Sequence, residues 1–266
     1  MKKDVTRVAA VIPARMGSSR FPGKPLAPLL GRPTLEHVFR RALMCDRLDV
    51  VYVATCDEEI SVAAEGFGAS VIPTSAAHER ASDRVAEAAE SIEADIVVMI
   101  QGDEPMITPP MIEAALAPML RDPSVECVNL VRRVVSREEY ADANTIKVVM
   151  NVRGDALYFS RAPIPAAGFA RGPGASPPPV FKQVCVIPFR RDFLREFARL
   201  PQTPLERVES IDMLRAVEHG RRVRLVETEA DTHAVDTPED LRLVESLMKD
   251  DPLLLRYGGP AEAART

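Results

Sequence analysis

Several large functional classes are excluded by what this chain lacks. Its four cysteines, Cys45, Cys56, Cys127 and Cys185, show no C-x-x-C spacing and no nearby histidine. A zinc site or disulfide framework is therefore not expected, and the thiols read as buried side chains. The longest apolar runs, such as Ile96 to Ile100, fall far short of the roughly 20 residues needed to span a bilayer. No stretch at the N-terminus resembles a signal peptide, so the expectation is a cytoplasmic protein with no membrane partner. The formal net charge of -5 argues against nucleic acid, which is bound through many phosphate contacts from a basic surface. There is no G-x-x-x-x-G-K-[ST] loop and no G-x-G-x-x-G fingerprint, so neither a P-loop enzyme nor a dinucleotide dehydrogenase is indicated. A G-x-S-x-G elbow is also missing, which leaves covalent acyl transfer without support.

What is present points to an α/β protein. Val8 to Ile12, Val50 to Ala54, Ser70 to Ile72 and Ile96 to Ile100 are short apolar runs separated by segments with helical spacing. That order predicts β-α-β alternation and a Rossmann-like, mostly parallel sheet flanked by helices. Leu35, Val38, Phe39 and Ala42 recur at i, i+3, i+4 and i+7 and predict one buried helix face. Ile211, Leu214 and Val217 mark a second, and Asp236 to Asp240 has the order of a helix start. After residue 125 the alternation loses regularity, and Gly168 to Pro179 is rich enough in Gly, Pro, Ala and Ser to be an exposed loop. The expected organisation is one domain over 1–251, with a smaller acceptor-binding and dimerisation lobe over about 125–220. Residues 252–266 carry no clear pattern and read as a poorly ordered tail.

The chemistry concentrates at the expected carboxyl ends of the strands. The first strand runs into Pro13-Ala14-Arg15-Met16-Gly17-Ser18-Ser19-Arg20-Phe21-Pro22-Gly23-Lys24-Pro25, which combines Gly and Ser backbone donors with three cations where open α/β sheets bind ligands. Phosphate binding is the natural function of such a loop, and a solvated turn is the plain alternative. Of the 34 basic residues 28 are arginine, which suits planar recognition of phosphate or carboxylate but is equally a mark of a GC-rich genome. Asp103 follows the Ile96 to Ile100 strand, so its hard carboxylate oxygen would emerge at the ligand-binding edge, a place suited to sharing magnesium with phosphate, with a turn-forming Asp as the plain alternative. Asp236, ahead of Thr-Pro-Glu-Asp, is equally suited to capping a helix, and Asp83 is suited to capping the helix that carries Val85, Ala88 and Ala89.

Five separated segments resemble those of the CMP-KDO synthetases, the 3-deoxy-manno-octulosonate cytidylyltransferases. They are Ile12 to Pro25, His78-Glu79-Arg80-Ala81-Ser82-Asp83-Arg84, Gln101-Gly102-Asp103-Glu104-Pro105, Ala156 to Pro165 and Val235-Asp236-Thr237-Pro238. They occur in the family's order within residues 7 to about 248. The resemblance implies that Arg15 and Lys24 hold the CTP triphosphate, that Ser82, Arg84 and Gln101 recognise cytidine, and that Asp103 and Asp236 hold Mg2+. It also implies a homodimer. The implied reaction is in-line attack of an acceptor oxygen on the CTP α-phosphorus with loss of pyrophosphate, driven by positioning and electrostatics. A non-catalytic nucleotide sensor would keep the same loops, but the two aspartates favour an active enzyme.

The acceptor half departs from the family's pattern. Where the family has Lys-His-[Ile/Val]-Gly-[Ile/Leu]-Tyr, this chain has Lys182-Gln183-Val184-Cys185-Val186-Ile187. Where the family has Leu-Glu-Gln-Leu-Arg, it has Ile211-Asp212-Met213-Leu214-Arg215. Ile187 and Met213 thus stand where polar groups would read sugar hydroxyls, while Arg161 and Lys182 remain to bind an anion, with Gln183 and Asp212 beside them. That set leads to the expectation of a small anionic acceptor, a phosphonate such as phosphonoformate, with KDO or a related sugar acid as the alternative. His78 to Arg84 differs as well, because Arg80 and Ala81 replace Ser and Gly. Alanine does not share glycine's access to positive φ, so this loop is expected to be shaped differently.

Overall fold

The computed structural model describes residues 6–17, 20–166 and 179–257. The first half forms β1 (Val8–Pro13), a short pair β2 (Pro28–Leu29) and β3 (Arg32–Pro33), α1 (Thr34–Leu43), β4 (Val50–Thr55), α2 (Glu58–Gly66), β5 (Ser70–Pro73), α3 (Ala81–Glu90), β6 (Ile96–Ile100) and α4 (Pro109–Arg121). The second half carries β7 (Val128–Arg133), α5 (Arg137–Ala141), β8 (Lys147–Met150), β9 (Ala156–Ser160), β10 (Phe181–Val184), β11 (Val186–Arg190), α6 (Arg191–Arg199) and α7 (Pro204–Glu209). It ends with α8 (Met213–Glu218), β12 (Arg224–Thr228), α9 (Pro238–Met248) and α10 (Pro252–Leu255).

The main sheet has the order β11-β6-β1-β4-β5, parallel throughout except for β11 at one edge. Its central strands are apolar at every position because both faces are covered. Along β1, Val8, Ala10 and Ile12 pack with Leu35, Phe39 and Leu116 on one side. Ala9 and Val11 pack with Val85, Ala88 and Phe197 on the other. Leu35, Val38, Phe39 and Ala42 are all buried, so the helical stripe faces the core as its spacing demands.

The fading alternation after residue 125 has a physical cause. The second sheet, β12-β7-β10-β8-β9, is built mainly from antiparallel pairs, with only β12 and β7 parallel. Antiparallel neighbours need no crossover helix, so the β-α rhythm disappears. A single residue, Cys185, separates β10 in this sheet from β11 in the main one. Its carbonyl accepts from Gln101 N at 3.1 Å, which seats the junction of the two sheets at the carboxyl end of β6.

Three expectations need correction. Cys56, read as a buried thiol, is exposed, and Cys185 is only partly buried. The chain from 252 is not patternless up to 257: Asp251 caps α10, accepting from Leu253 N at 2.8 Å, and also pairs with the fully buried Arg41 at 2.6 Å. Tyr257 Oη accepts from Arg41 Nε at 2.9 Å and meets His37 Nδ1 at 3.0 Å. Residues 258–266 lie outside the described residues, as do 168–178 of the expected loop. Asp83, expected as a cap, sits inside the first turn of α3 and pairs with Arg215 at 2.8 Å.

Candidate active site

The phosphate-loop candidate closes on itself at Gly23, whose N–H donates to Met16 O at 3.1 Å. Gly23 has φ 74°, a left-handed conformation that favours glycine, and it turns the chain into a short 3-10 helix, Lys24–Leu26. Lys24 is thereby aimed across the carboxyl edge of the main sheet. Its ammonium binds Asp103 Oδ2 and, at 3.1 Å, Asp236 Oδ1. Burial alone would lower the Lys24 pKa, but the two carboxylates outweigh it and raise it above the ordinary lysine value. Ser18 and Ser19 of this loop lie outside the described residues.

Asp103 reaches this point because Gly102 permits it. A Cβ at Gly102 would lie 3.2 Å from both Pro13 O and Leu35 Cδ1, so a side chain here would push the ends of β6 and β1 apart by a few tenths of an ångström. Asp236 arrives from the opposite direction and is tied in by Val235 N, which donates to Asp103 O at 2.8 Å. The helix-capping alternative for Asp236 does not hold. Thr237 is the N-cap of α9 and forms a reciprocal capping box with Asp240, leaving the Asp236 carboxylate for Lys24 and for Arg20 at 3.0 Å. Two residues 133 positions apart, by the difference of their numbers, thus share one ammonium.

Two adjoining cavities open on this cluster. One, of about 380 Å³, takes Arg15, Lys24, Arg84, Gln101, Asp103 and Asp236 into its wall. Arg84 is buried and donates to Thr74 Oγ1, while Arg15 is exposed at the mouth. Ser82, expected beside the base, lines neither cavity. It is fully buried, and its N–H and Oγ both donate to Asp212 Oδ2, at 3.2 and 2.7 Å. Ala81 adopts no positive φ and simply begins α3.

The other cavity, of about 700 Å³, is walled by the second sheet and receives Arg161, Lys182, Gln183, Asp212, Ile187 and Met213. Lys182 is not a free cation: it pairs with Glu139 at 2.5 Å. Arg161 donates through Nε to Glu209 O at 2.7 Å and through Nη1 to Ala143 O at 3.0 Å. Gln183 donates to Asn129 Oδ1 at 2.6 Å. Burial pushes the Asp212 carboxyl above its ordinary value, with Ser82 opposing the shift. It pushes Glu104, hydrogen-bonded to Thr232 Oγ1 at 2.6 Å, up to about 7. Glu138, Glu139, Asp142 and Asp231 add carboxylates to the same wall.

Three side chains escape sequence reasoning altogether. Glu209 accepts from Tyr158 Oη, Ser160 Oγ and Arg161 N at 2.8–3.0 Å. Burial would raise its pKa, but these donors outweigh it and hold it below the usual carboxylate range. Lys147 is fully buried and donates to the carbonyls of Asp142, Thr145 and Arg161, each at 2.6 Å. Glu139 is the third. The sequence shows such residues only as ordinary members of a strand or loop, because their role depends on carbonyls and side chains brought in by folding.

A cationic loop, two convergent aspartates and an adjoining cavity thus meet at the carboxyl edge of a parallel sheet, where open α/β folds bind their ligands. Residues 9–225 match the cytidylyltransferase family model. The chain is 45% identical over 246 residues to the 3-deoxy-manno-octulosonate cytidylyltransferase of Syntrophotalea carbinolica, covering 91% of this chain and 98% of that one. It is 46% identical to that of Solibacter usitatus, covering 91% and 95%. A solved CMP:2-keto-3-deoxy-manno-octonic acid synthetase in complex with CTP superposes with a TM-score of 0.83 at 41% identity, over 91% of this chain and 98% of that one. The chain belongs to the 3-deoxy-manno-octulosonate cytidylyltransferase family, and it is a CTP-dependent cytidylyltransferase. Among the described residues, no helix is long and apolar enough to cross a membrane.

Proposed function

We propose that this enzyme transfers CMP from CTP to 3-deoxy-manno-octulosonate or a closely related sugar acid and releases pyrophosphate. The observation that carries this reading is the polar cavity of about 700 Å³ beside the nucleotide site, in a chain whose relatives are named for that acceptor. An eight-carbon acid needs one anion partner and many hydroxyl acceptors. Arg161 supplies the first, and Gln183, Asp212 and the carboxylates of the wall supply the second.

The preference for a small phosphonate, drawn from Ile187 and Met213, is set aside. Lys182, one of the two cations on which it rested, is paired with Glu139 at 2.5 Å, and a dianion would meet further carboxylates around it. Ile187 and Met213 are nearly fully buried, each 2% exposed or less, and with Met99 and Ile211 they add apolar surface to a wall of mixed character. That apolar surface keeps phosphonoformate as a necessary comparison.

In the proposed reaction, an acceptor oxygen attacks the CTP α-phosphorus as the bond to the β-phosphate oxygen breaks, and the acceptor's proton passes to water in the open cavity. Arg15 and Lys24 neutralise phosphate charge, Arg84 and Gln101 face the base, and Arg161 orients the acid. Asp103 and Asp236 fit a magnesium ion: both are hard carboxylates already converging on one cation, Lys24. Bound there, magnesium would polarise the phosphates as a Lewis acid. A homodimer with the second-sheet lobe at its interface is proposed with the same family relationship. The test is kcat/KM for the sugar acid and for phosphonoformate, followed by Arg161→Ala with the better acceptor. The sugar acid should be preferred and Arg161→Ala should raise its KM; turnover of phosphonoformate alone would reject the acceptor.

A further inference from the structure

We infer that Arg80 is a positioning residue for the acceptor: it fastens the 209–212 turn, and through Glu209 the acceptor-side Arg161, to the start of helix α3 at the nucleotide cavity. The inference rests on reading the larger cavity as the acceptor site. Arg80 occupies the N-cap position of α3 and lines the nucleotide cavity. Its Nη1 donates to Ser210 Oγ at 2.6 Å, and its Nε lies 3.9 Å from Asp212 Oδ1. Nε is buried and makes no hydrogen bond. The side chain is only 18% exposed, so this is not an arginine resting on the surface in water. It has been brought in with part of its donor capacity unused, a cost that a merely solvated residue would avoid.

The turn that Arg80 grips is strained. Ser210 has φ 56° and ψ 49°, a left-handed conformation that a non-glycine residue keeps only where its surroundings hold it. On one side of Ser210, Glu209 takes the Arg161 N–H on its carboxylate at 2.8 Å and Arg161 Nε on its carbonyl at 2.7 Å. On the other side, Asp212 takes the Ser82 hydroxyl at 2.7 Å. Glu209, Ser210 and Asp212 of this one turn therefore tie the acceptor-side Arg161 to Arg80 and Ser82 at the start of α3. Asp212 anchors the far end, whereas Arg80 holds the residue adjacent to Glu209. The serine of the related pattern has neither the reach nor the charge to do this.

The test measures kcat and both KM values on the full chain for Arg80→Ser, Arg80→Lys and Ser210→Gly, with whichever acid the parent enzyme turns over. Arg80→Ser should raise the acceptor KM about tenfold, the factor for one lost hydrogen bond of ordinary strength, and leave the CTP KM within about twofold. Arg80→Lys, which keeps charge and a donor, should recover part of the loss. Ser210→Gly removes the hydroxymethyl group, and glycine suits the left-handed φ; it should match Arg80→Ser in acceptor KM without lowering Tm. The double variant should add nothing to the single changes. The inference is overturned if the CTP KM rises as much as the acceptor KM, if neither moves, or if the two substitutions are additive. Hydrogen exchange of the 207–212 amides gives a reading free of turnover: Arg80→Ser should speed it, and unchanged exchange overturns the inference as well. An acceptor other than a sugar acid would sink the proposed function yet leave the KM split for Arg80 decidable.

Discussion

Replacing Lys147 by methionine keeps most of the side-chain volume and removes one ammonium. In the folded protein that ammonium satisfies three carbonyls, those of Asp142, Thr145 and Arg161, each at 2.6 Å, and no part of the residue reaches solvent. Each buried carbonyl left without a donor costs about 1–3 kcal/mol. Asp142 is exposed, and Thr145 and Arg161 are half-buried, so water recovers part of that cost. Methionine also avoids the desolvation that lowers the Lys147 pKa. The expected net loss is about 3 kcal/mol, which at a urea slope of about 3 kcal/mol/M moves the unfolding midpoint down by about 1 M. Because the same carbonyls fix the 142–145 wall and Arg161, the acceptor KM should rise while the CTP KM stays near its parent value. Urea unfolding followed by circular dichroism, with both KM values measured on the same preparation, decides it. A midpoint shift under about 0.3 M would show that the three contacts do not hold this wall.

Asp103→Asn and Asp236→Asn should each lower kcat by about a hundredfold or more, the scale of a lost charge-stabilising group, with little change in the urea midpoint; parent-like activity in limiting magnesium would remove the metal assignment. CTP should be favoured over UTP by tenfold or more in kcat/KM, since discrimination falls to hydrogen bonding at the base edge near Arg84 and Gln101, and equal efficiencies would contradict it. Arg215→Met should cost about 3–5 kcal/mol, because it strands Glu206, which is fully buried and paired with Arg215 at 2.6 Å; a midpoint within error of the parent would refute that. His37 gives a pH prediction: burial lowers its pKa below the ordinary 6.5, and its Nε2–H donates to Leu29 O at 2.7 Å while Nδ1 accepts from Tyr257. The unfolded chain binds the proton that the folded one refuses, so this stability is complete above about pH 6.5 and is lost as pH falls below it. Acidification from pH 7.5 to 5.5 should therefore destabilise the parent more than His37→Asn, and parallel curves would disprove the assignment.

The main sheet was legible in the sequence because a strand buried on both faces must be apolar throughout, as Ile96 to Ile100 is. The helix of Leu35, Val38, Phe39 and Ala42 was legible because a single buried face imposes its period. The second sheet was not, since short antiparallel strands such as Phe181–Val184 leave no comparable periodic signal. At the site, Asp103 was readable from its place after a strand and Asp236 from family resemblance; in the structure both contact Lys24. The phosphonate reading loses support for a physical reason. Sequence shows Lys182 as a cation and gives no sign that Glu139 pairs with it. Arg80 and Glu209 act through partners from distant segments, and Lys147 through backbone carbonyls, neither of which a local pattern of side chains discloses.

The central claim is that CTP and a sugar acid meet at the Asp103, Asp236 and Lys24 junction and that the acceptor's own oxygen becomes bonded to the α-phosphorus. Incubating the enzyme with CTP, magnesium and acceptor labelled with 18O at the reacting hydroxyl, then analysing both products by mass spectrometry, tests this directly. The account predicts acceptor-dependent pyrophosphate without label and a CMP adduct that retains the 18O. Label found in pyrophosphate, or pyrophosphate formed at the same rate without any acceptor, would contradict it.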